Sequence, residues 1–385
     1  METLFDITLH TLYIYLAFSV TYITLFAFAS IRRERTVFRH SEHRNRFLIL
    51  IPAYKEDRVI FDSVNSLLMN DYPKERYTIT VISDKMESET DEKLSALGIN
   101  IIPINPEKSS KATALKIAAD YHSGDLYDAV IILDADNVTC KNFLSSLNNA
   151  YQMLGTAIQV HRCAKNFETP MALLDAISEE INNSIFRKGH AALGLSSALI
   201  GSGMLLDYRW FLGNVHKLET AGEDKELELL LLKDRQFIEY LDYIKIYDEK
   251  VSLEKSYYNQ RRRWLAAQFG SLYEGLKELP LAIRSLNIDL FDKIVQWMLL
   301  PRVIMMGVIF LLSLFLTFTH PLESVRWWIL FVVLTLSLAV ATPDYLISAT
   351  TLKSLRRLPW IFLLTLFNFF RIRGVNRNFI HTQKG

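Results

Sequence analysis

The sequence predicts a doubly wound α/β domain with a mostly parallel sheet, attached to transmembrane and interfacial helices. Three observations carry this. Short, nearly all-apolar, β-branched runs alternate with helical patterns between Phe47 and Leu281. Acidic residues, Asp84 and the pair Asp134 and Asp136, close two of those runs. Long apolar stretches occupy both ends of the chain.

The first element is Leu9–Ile31, which contains no Asp, Glu, Lys or Arg and is long enough to cross a bilayer. Arg32, Arg33 and Arg35 follow at once. Positive residues stay on the cytoplasmic side, which places the N-terminus outside and the following region inside. A cleaved signal peptide fits less well, because the charge follows the apolar stretch and no small-residue cleavage site precedes it.

Phe47–Tyr54, Thr78–Asp84, Asn100–Asn105 and Ala129–Asp136 read as strands buried on both faces of a parallel sheet. Between them lie helical patterns such as Ser109–His122, with Ala112, Leu115, Ala118 and Ala119 on one stripe. In such a sheet, ligands gather at the carboxyl ends of the strands. After Leu281 the composition changes. Leu281–Leu300 reads as an interfacial helix. Arg302–Phe318 and Trp327–Ala349 read as spans, and Lys353, Arg356 and Arg357 put the chain back inside. Pro359–Phe370 is short for a span and reads as interfacial or re-entrant, with a fourth span as the alternative. Arg371, Arg373, Arg377 and Lys384 mark a cytoplasmic tail. The organisation is thus an N-terminal anchor (residues 1–35), an α/β domain (36–280) and a membrane section (281–385).

Composition sets outer limits. Of 385 residues, 22% are charged, and the net charge is +1. That balance lacks the basic excess of a general nucleic-acid binder. Cys140 and Cys163 are the only cysteines and do not share a CxxC spacing. They read as ordinary thiols in a reducing compartment.

In an extended chain, residues two apart point the same way. Asp134 and Asp136 should therefore project together beyond Leu133, and two converging carboxylates favour Mg²⁺ or Mn²⁺. The plainer alternative is a capped strand end with two solvated Asp. Tyr54-Lys55-Glu56 and Ser83-Asp84-Lys85 close the first two strands, where a carboxylate can meet a base or ribose. Lys111 opens the helix after the third strand, and a cation there makes an anion-binding corner. Glu223-Asp224 opens a leucine-rich helix. Acidic residues are common in a first turn, but one here could serve as general base. Gln260-Arg261-Arg262-Arg263-Trp264 puts Gln260, Arg263 and Trp264 on one helical face. The alternative is a basic helix attracted to lipid headgroups.

The ordered series IPAYKE, SD, Lys111, DAD, GED and QRRRW resembles the family 2 glycosyltransferases. It is most similar to the membrane-embedded branch that includes cellulose, chitin and hyaluronan synthases. The resemblance covers about Phe47 to Phe269 and implies a GT-A fold, a Rossmann-like sheet with a nucleotide sugar at its carboxyl edge. It implies that Tyr54, Glu56 and Asp84 hold the nucleoside, with Lys111 nearby. Asp134 would contact the donor, and Asp136 would bind the Mg²⁺ or Mn²⁺ that bridges its diphosphate. Asp224 would be the base of an inverting displacement. Gln260, Arg263 and Trp264 would close the donor pocket and meet the acceptor.

Three positions depart from the pattern: Gly222 in place of Thr, Gly201-Ser202-Gly203-Met204 in the acceptor segment, and Lys85 after Asp84. The first expectation is an inner-membrane synthase extending a polysaccharide from a nucleotide sugar, in contact with membrane lipids. The alternative acceptor is a lipid carrier or glycolipid. A nucleotide-sensing transporter is remote, because the spans carry few polar residues.

Overall fold

The computed structural model describes residues 2–32, 38–220, 222–251 and 254–371. Arg33, Arg35, Arg373, Arg377 and Lys384, which entered the topology argument, lie outside the described residues.

Among the described residues, eight strands form one sheet in the order β3-β2-β1-β4-β7-β6-β8-β5. They are β1 (Phe47–Tyr54), β2 (Tyr77–Asp84), β3 (Asn100–Ile104), β4 (Ala129–Ile132), β5 (Val138–Thr139), β6 (Ala157–Ala164), β7 (Met204–Asp207) and β8 (Ile238–Asp248). The half made of β3, β2, β1 and β4 is parallel. Then β7 runs antiparallel to β4 and β6, while β8 pairs parallel with β6.

The apolar run of β1 explains the layering. Phe47, Ile49 and Ile51 enter one core with Ile60, Val64 and Phe143. The alternate residues Leu48 and Leu50 enter another with Leu115, Ala118 and Leu227. A strand covered on both faces has no polar side to show, hence the unbroken hydrophobic run. Truncating such a residue, for example Leu50→Ala, costs about 2–5 kcal/mol.

Among the described residues, three helices are long and apolar enough to cross a membrane: Asp6–Ala29 within the helix Glu2–Ala29, then Arg302–Thr319 and Pro321–Val340. They share a core that includes Leu16, Ile23, Met305, Ile309, Trp327 and Leu334. Trp327 is fully buried, with Tyr13 edge-on at 5.2 Å. The end of the first helix docks on His190 of the sheet domain and on the helix Ile288–Met298. The Phe26 ring stacks on His190 at 3.6 Å, and the Tyr22 hydroxyl donates to Asp292 at 2.6 Å. A Cβ on Gly189 would meet the Phe26 carbonyl oxygen at 2.2 Å, so a larger residue cannot pack there.

Several boundaries differ from the sequence expectation. The last span runs over Pro321–Val340 rather than Trp327–Ala349, because Pro321 opens the helix and the chain turns before Pro343. Leu281–Leu300 is not one helix. Its first residues finish the helix Glu254–Arg284, which runs through the boundary at 280, and Ile288–Met298 follows as a second helix. Leu358–Phe370 forms a helix of only 13 residues.

Candidate active site

Tyr54 and Asp84 end β1 and β2 as register partners. The next residue on each strand, Lys55 and Lys85, has positive φ (55° and 57°). Non-glycine residues adopt that region at a cost, and such strain gathers at binding sites. Both ammonium groups lie 5.6 Å from the centre of the Tyr54 ring. Asp84 is almost fully buried. Burial raises its pKa, against the pull of Ser109, Lys85 and Lys55. Its Oδ1 is a buried acceptor without a hydrogen-bond partner, as expected of a group that receives a donor from a ligand. Glu56 begins the next turn, its carbonyl accepting from the Val59 and Ile60 amides.

Farther along the same edge, Lys111 opens the helix Lys111–Tyr121, capped by Ser110. Its ammonium lies 2.5 Å from Asp134 Oδ1, 2.5 Å from the Gly201 carbonyl and 3.8 Å from Glu223 Oε1. Burial works against its charge, but Asp134 and Glu223 outweigh it and hold its pKa above the usual lysine value. Arg162, from β6, stands 4.0 Å from Asp134, 2.9 Å from Glu179 and 3.6 Å from Asp248. Glu223 is buried, and its pKa is pushed up to about 7. Desolvation is the main cause, opposed by Lys111 and reinforced by Asp224. Asp224, half-buried beside it, accepts from the Lys225 amide at 2.9 Å.

The helix Glu254–Arg284 closes this side. Its three consecutive arginines step around the axis to three different partners. Arg261 pairs with Asp175 at 2.5 Å and lies between the Tyr257 and Trp264 rings, 4.8 and 4.6 Å from their centres. Arg262 donates to the Arg371 carbonyl at 3.0 Å. Arg263 faces the charges of Glu223, Asp134 and Asp224, which partly offset the desolvation that lowers its pKa. The basic run is therefore divided between packing and the acidic cluster rather than spread over lipid. Gln260 Oε1 is buried without a hydrogen-bond partner.

The DAD segment departs from expectation. β4 ends at Ile132, and the Asn137 amide donates back to the Asp134 carbonyl at 3.1 Å, so a turn replaces the extended strand. The alternation that would aim both carboxylates together no longer applies. Asp134 faces the cluster and remains partly exposed, whereas Asp136 is fully buried. Asp136 accepts from the Glu249 amide at 3.1 Å and the Asn137 side chain at 3.1 Å. Both side chains offer only carboxylate oxygens, a donor type that suits a hard cation such as Mg²⁺ or Mn²⁺.

The structure thus brings together Lys111, Asp134, Asp224 and Arg263, and it sets Tyr54, Glu56 and Asp84 along the same edge. Trp264 carries the Arg261 guanidinium over its ring. Arg162 was missed from the sequence. Its one signal was a guanidinium inside the strand-like run Ala157–Ala164. Ser202, whose hydroxyl accepts from the Asp134 amide at 2.9 Å, had been singled out only as part of the acceptor segment Gly201-Ser202-Gly203-Met204. Cavity size is no guide here, since a cavity of about 240 Å³ between Gly155, Asp207, Trp210 and Gln236 shares no residue with the cluster.

Comparison with known proteins bears on this arrangement. The chain is 26% identical over 222 residues to a β-monoglucosyldiacylglycerol synthase of Trichormus variabilis, covering 56% of this chain and 47% of that protein. It matches the protein of the same name from Nostoc sp. at the same identity over the same length. The chain therefore spans about half the length of the curated relatives it matches. A mannosyltransferase from Pyrobaculum calidifontis, solved with GDP-Man and Mn²⁺, is similar over 86% of this chain and 96% of that one, with a TM-score of 0.50 and 13% identity. At that identity the likeness concerns the fold, a GT-A-like mixed, mostly parallel sheet. Residues 43–267, more than half of the chain, match the family described as glycosyltransferase like family 2, and the chain belongs to that family.

Proposed function

We propose that this protein is an inverting glycosyltransferase that moves one sugar from a nucleotide-diphosphate donor to a membrane lipid. One observation carries the choice of acceptor. The helix bearing Arg263 also ties the site to the apolar helices, since Gln268 donates to the Trp297 and Leu299 carbonyls just before Arg302–Thr319. An acceptor headgroup at the membrane surface is then within a few turns of the acidic cluster. The β-monoglucosyldiacylglycerol synthases that the chain resembles support the same reading.

In this reading Tyr54, Glu56 and Asp84 hold the nucleoside, and the buried Asp84 Oδ1 accepts a base or ribose donor. Asp134 and Asp136 supply the oxygen ligands for Mg²⁺ or Mn²⁺. Such an ion, when bound, neutralises charge on the diphosphate. Lys111 holds Asp134 in place. Arg263 attracts the leaving diphosphate as charge develops on it. Asp224 removes the proton from the acceptor hydroxyl, which attacks the anomeric carbon from the side opposite the diphosphate. Gln260 and Trp264 border the acceptor side. The N-terminus lies outside, and the catalytic unit faces the cytoplasm of the inner membrane.

The polysaccharide reading keeps one observation in its favour, the Gln260–Arg263–Trp264 spacing that resembles the polymerising branch. One experiment separates the two. Purified protein in lipid–detergent micelles is given radiolabelled UDP- and GDP-sugars with Mn²⁺. Label is expected in the solvent-extractable lipid fraction with one sugar per lipid. A water-soluble or size-excluded polymer would return the assignment to polysaccharide synthesis.

A further inference from the structure

Away from the sugar-transfer cluster, three chemically different side chains meet at one buried point. His161 and Cys163 are two apart on β6 and share a face, and Glu180 comes from the helix Pro170–Asn182. One nitrogen, sulfur or oxygen from each lies within 4.8 Å of the other two. Cys163 and Glu180 are buried, and only 14% of the His161 side chain is exposed. His161 Nε2 stands 3.0 Å from Glu180 Oε1, while its Nδ1 stands 2.6 Å from the Tyr240 hydroxyl. Glu180 Oε1 also accepts from the Tyr345 hydroxyl at 2.9 Å.

We propose that His161, Cys163 and Glu180 form a zinc site, separate from the metal position at Asp134 and Asp136 and independent of the sugar-transfer reading. The donor chemistry selects the ion. Imidazole with thiolate is borderline-soft and suits Zn²⁺, whereas Mg²⁺ and Mn²⁺ prefer oxygen alone. The charges also balance. A neutral imidazole, a thiolate and a carboxylate together carry two negative charges, which a divalent ion cancels, so no net charge stays buried.

The spacing is close to what is needed. Zinc bonds of about 2.0–2.1 Å at tetrahedral angles put nitrogen and oxygen about 3.3 Å apart. His161 and Glu180 therefore need to open by only a few tenths of an ångström. The surroundings match as well. Tyr240 on Nδ1 fixes the ring with Nε2 turned inward, and Tyr345 holds the carboxylate, as outer partners of zinc ligands do. Among the described residues no fourth His, Cys, Asp or Glu joins the group, which leaves the remaining position to water. A hydrogen bond between His161 and Glu180 would account for that pair without a metal. The Cys163 thiol also comes within hydrogen-bonding reach of His161, so all three donors meet at one point.

The site sits where a tie has structural effect. Arg162, which reaches Asp134, lies between His161 and Cys163, and Glu179 beside Glu180 pairs with Arg162 at 2.9 Å. Tyr345 follows the last membrane-spanning helix. Zinc here would clamp the strand and helix that aim Arg162 and join them to the membrane section.

The test uses the full chain, purified in detergent without a polyhistidine tag from zinc-supplemented culture. Mass spectrometry of the metal content is expected to give about one zinc per chain. His161→Ala and Cys163→Ala should lose it, and Asp134→Asn should keep it. Exchange of zinc for Co²⁺ in the wild type should produce a sulfur-to-cobalt charge-transfer band in the near ultraviolet. Only a site containing a cysteine can give that band. It also needs no variant to fold. Zinc at background level together with no such band after Co²⁺ addition would overturn the proposal, as would unchanged zinc in a folded Cys163→Ala protein.

Discussion

Lys111 and Asp134 are bound through an ammonium–carboxylate contact of 2.5 Å, and the same ammonium holds the Gly201 carbonyl at 2.5 Å. One cation thereby fixes three pieces of backbone against each other: the start of a helix, the turn after β4 and the glycine loop before β7. Around it stand Asp134, Glu223 and Asp224 on the acidic side, with Arg162 and Arg263 as further cations. The near balance of charge lets so many ionised groups share a partly buried place.

The metal assignment is tested at Asp136. Asp136→Asn should abolish turnover, because it removes a ligand charge. Asp136 accepts from the Glu249 amide through one oxygen and from the Asn137 side chain through the other; asparagine keeps only one acceptor oxygen, so the variant should also lose about 1–3 kcal/mol of stability. Turnover with and without EDTA, restored by Mn²⁺, checks the first point, and thermal unfolding checks the second. Near-normal turnover of the variant, or no inhibition by EDTA, would remove the metal from this site.

Asp224→Asn and Arg263→Ala should differ in kind. A lost general base costs about 10²–10⁴-fold in rate and leaves nucleoside-diphosphate binding nearly unchanged, because the base addresses the acceptor. Loss of Arg263 should weaken binding and rate together. Calorimetric titration with UDP and GDP beside a turnover assay decides this. If Asp224→Asn lost binding while Arg263→Ala kept it, the two roles would have to be exchanged.

Glu223 gives stability a pH signature. Burial holds its folded pKa at about 7 against an ordinary 4.5. Between those values the unfolded chain releases the proton while the folded chain keeps it. Stability should therefore fall as pH rises through that window and then level off. The full effect corresponds to about 3 kcal/mol. Glu223→Gln removes the titration, so its unfolding temperature should rise relative to wild type more at pH 8 than at pH 5. An equal offset at both pH values would show that Glu223 does not titrate in this range.

Gly201 and Gly203 should fail in different ways when changed to Ala. Both have positive φ, 79° and 65°, which costs roughly 1–2 kcal/mol for a side chain. At Gly201 the new Cβ would lie 3.5 Å from Glu223 Oε1 and 3.7 Å from Lys111 Nζ, ordinary contact within the site. At Gly203 it would meet Val160 Cγ2 at 2.5 Å and Ile246 Cδ1 at 2.7 Å inside the core. Gly201→Ala is expected to fold and lose activity, and Gly203→Ala to unfold. Circular dichroism beside turnover reads both, and a fully active, folded Gly203→Ala would contradict the packing argument.

Much of the parallel half-sheet was legible in the sequence because burial on both faces writes itself as continuous apolar runs. β1, β2 and β3 fall within a residue of expectation. The other half was not legible. β7 has only four residues, and the in–out alternation of β8 breaks partway, where its pairing with β6 shifts register, so neither carries a clean period. Among site residues, Lys111 was found from its place at a helix start, which the structure confirms. The expected shared direction of Asp134 and Asp136 failed because the alternation rule was carried past the end of a strand.

By itself, then, the sequence determined the α/β class, the three apolar helices and the order of the charged motifs, because each depends on residues close together in the chain. Tertiary structure alone decided which charges meet. Arg162 reaches Asp134 because β7 pairs with both β4 and β6. Arg263 reaches Glu223 only when its long helix packs back over the sheet edge. Those distances follow from strand pairing and helix docking between segments far apart in the chain. Coulomb interactions depend on just those distances, and no local pattern records them.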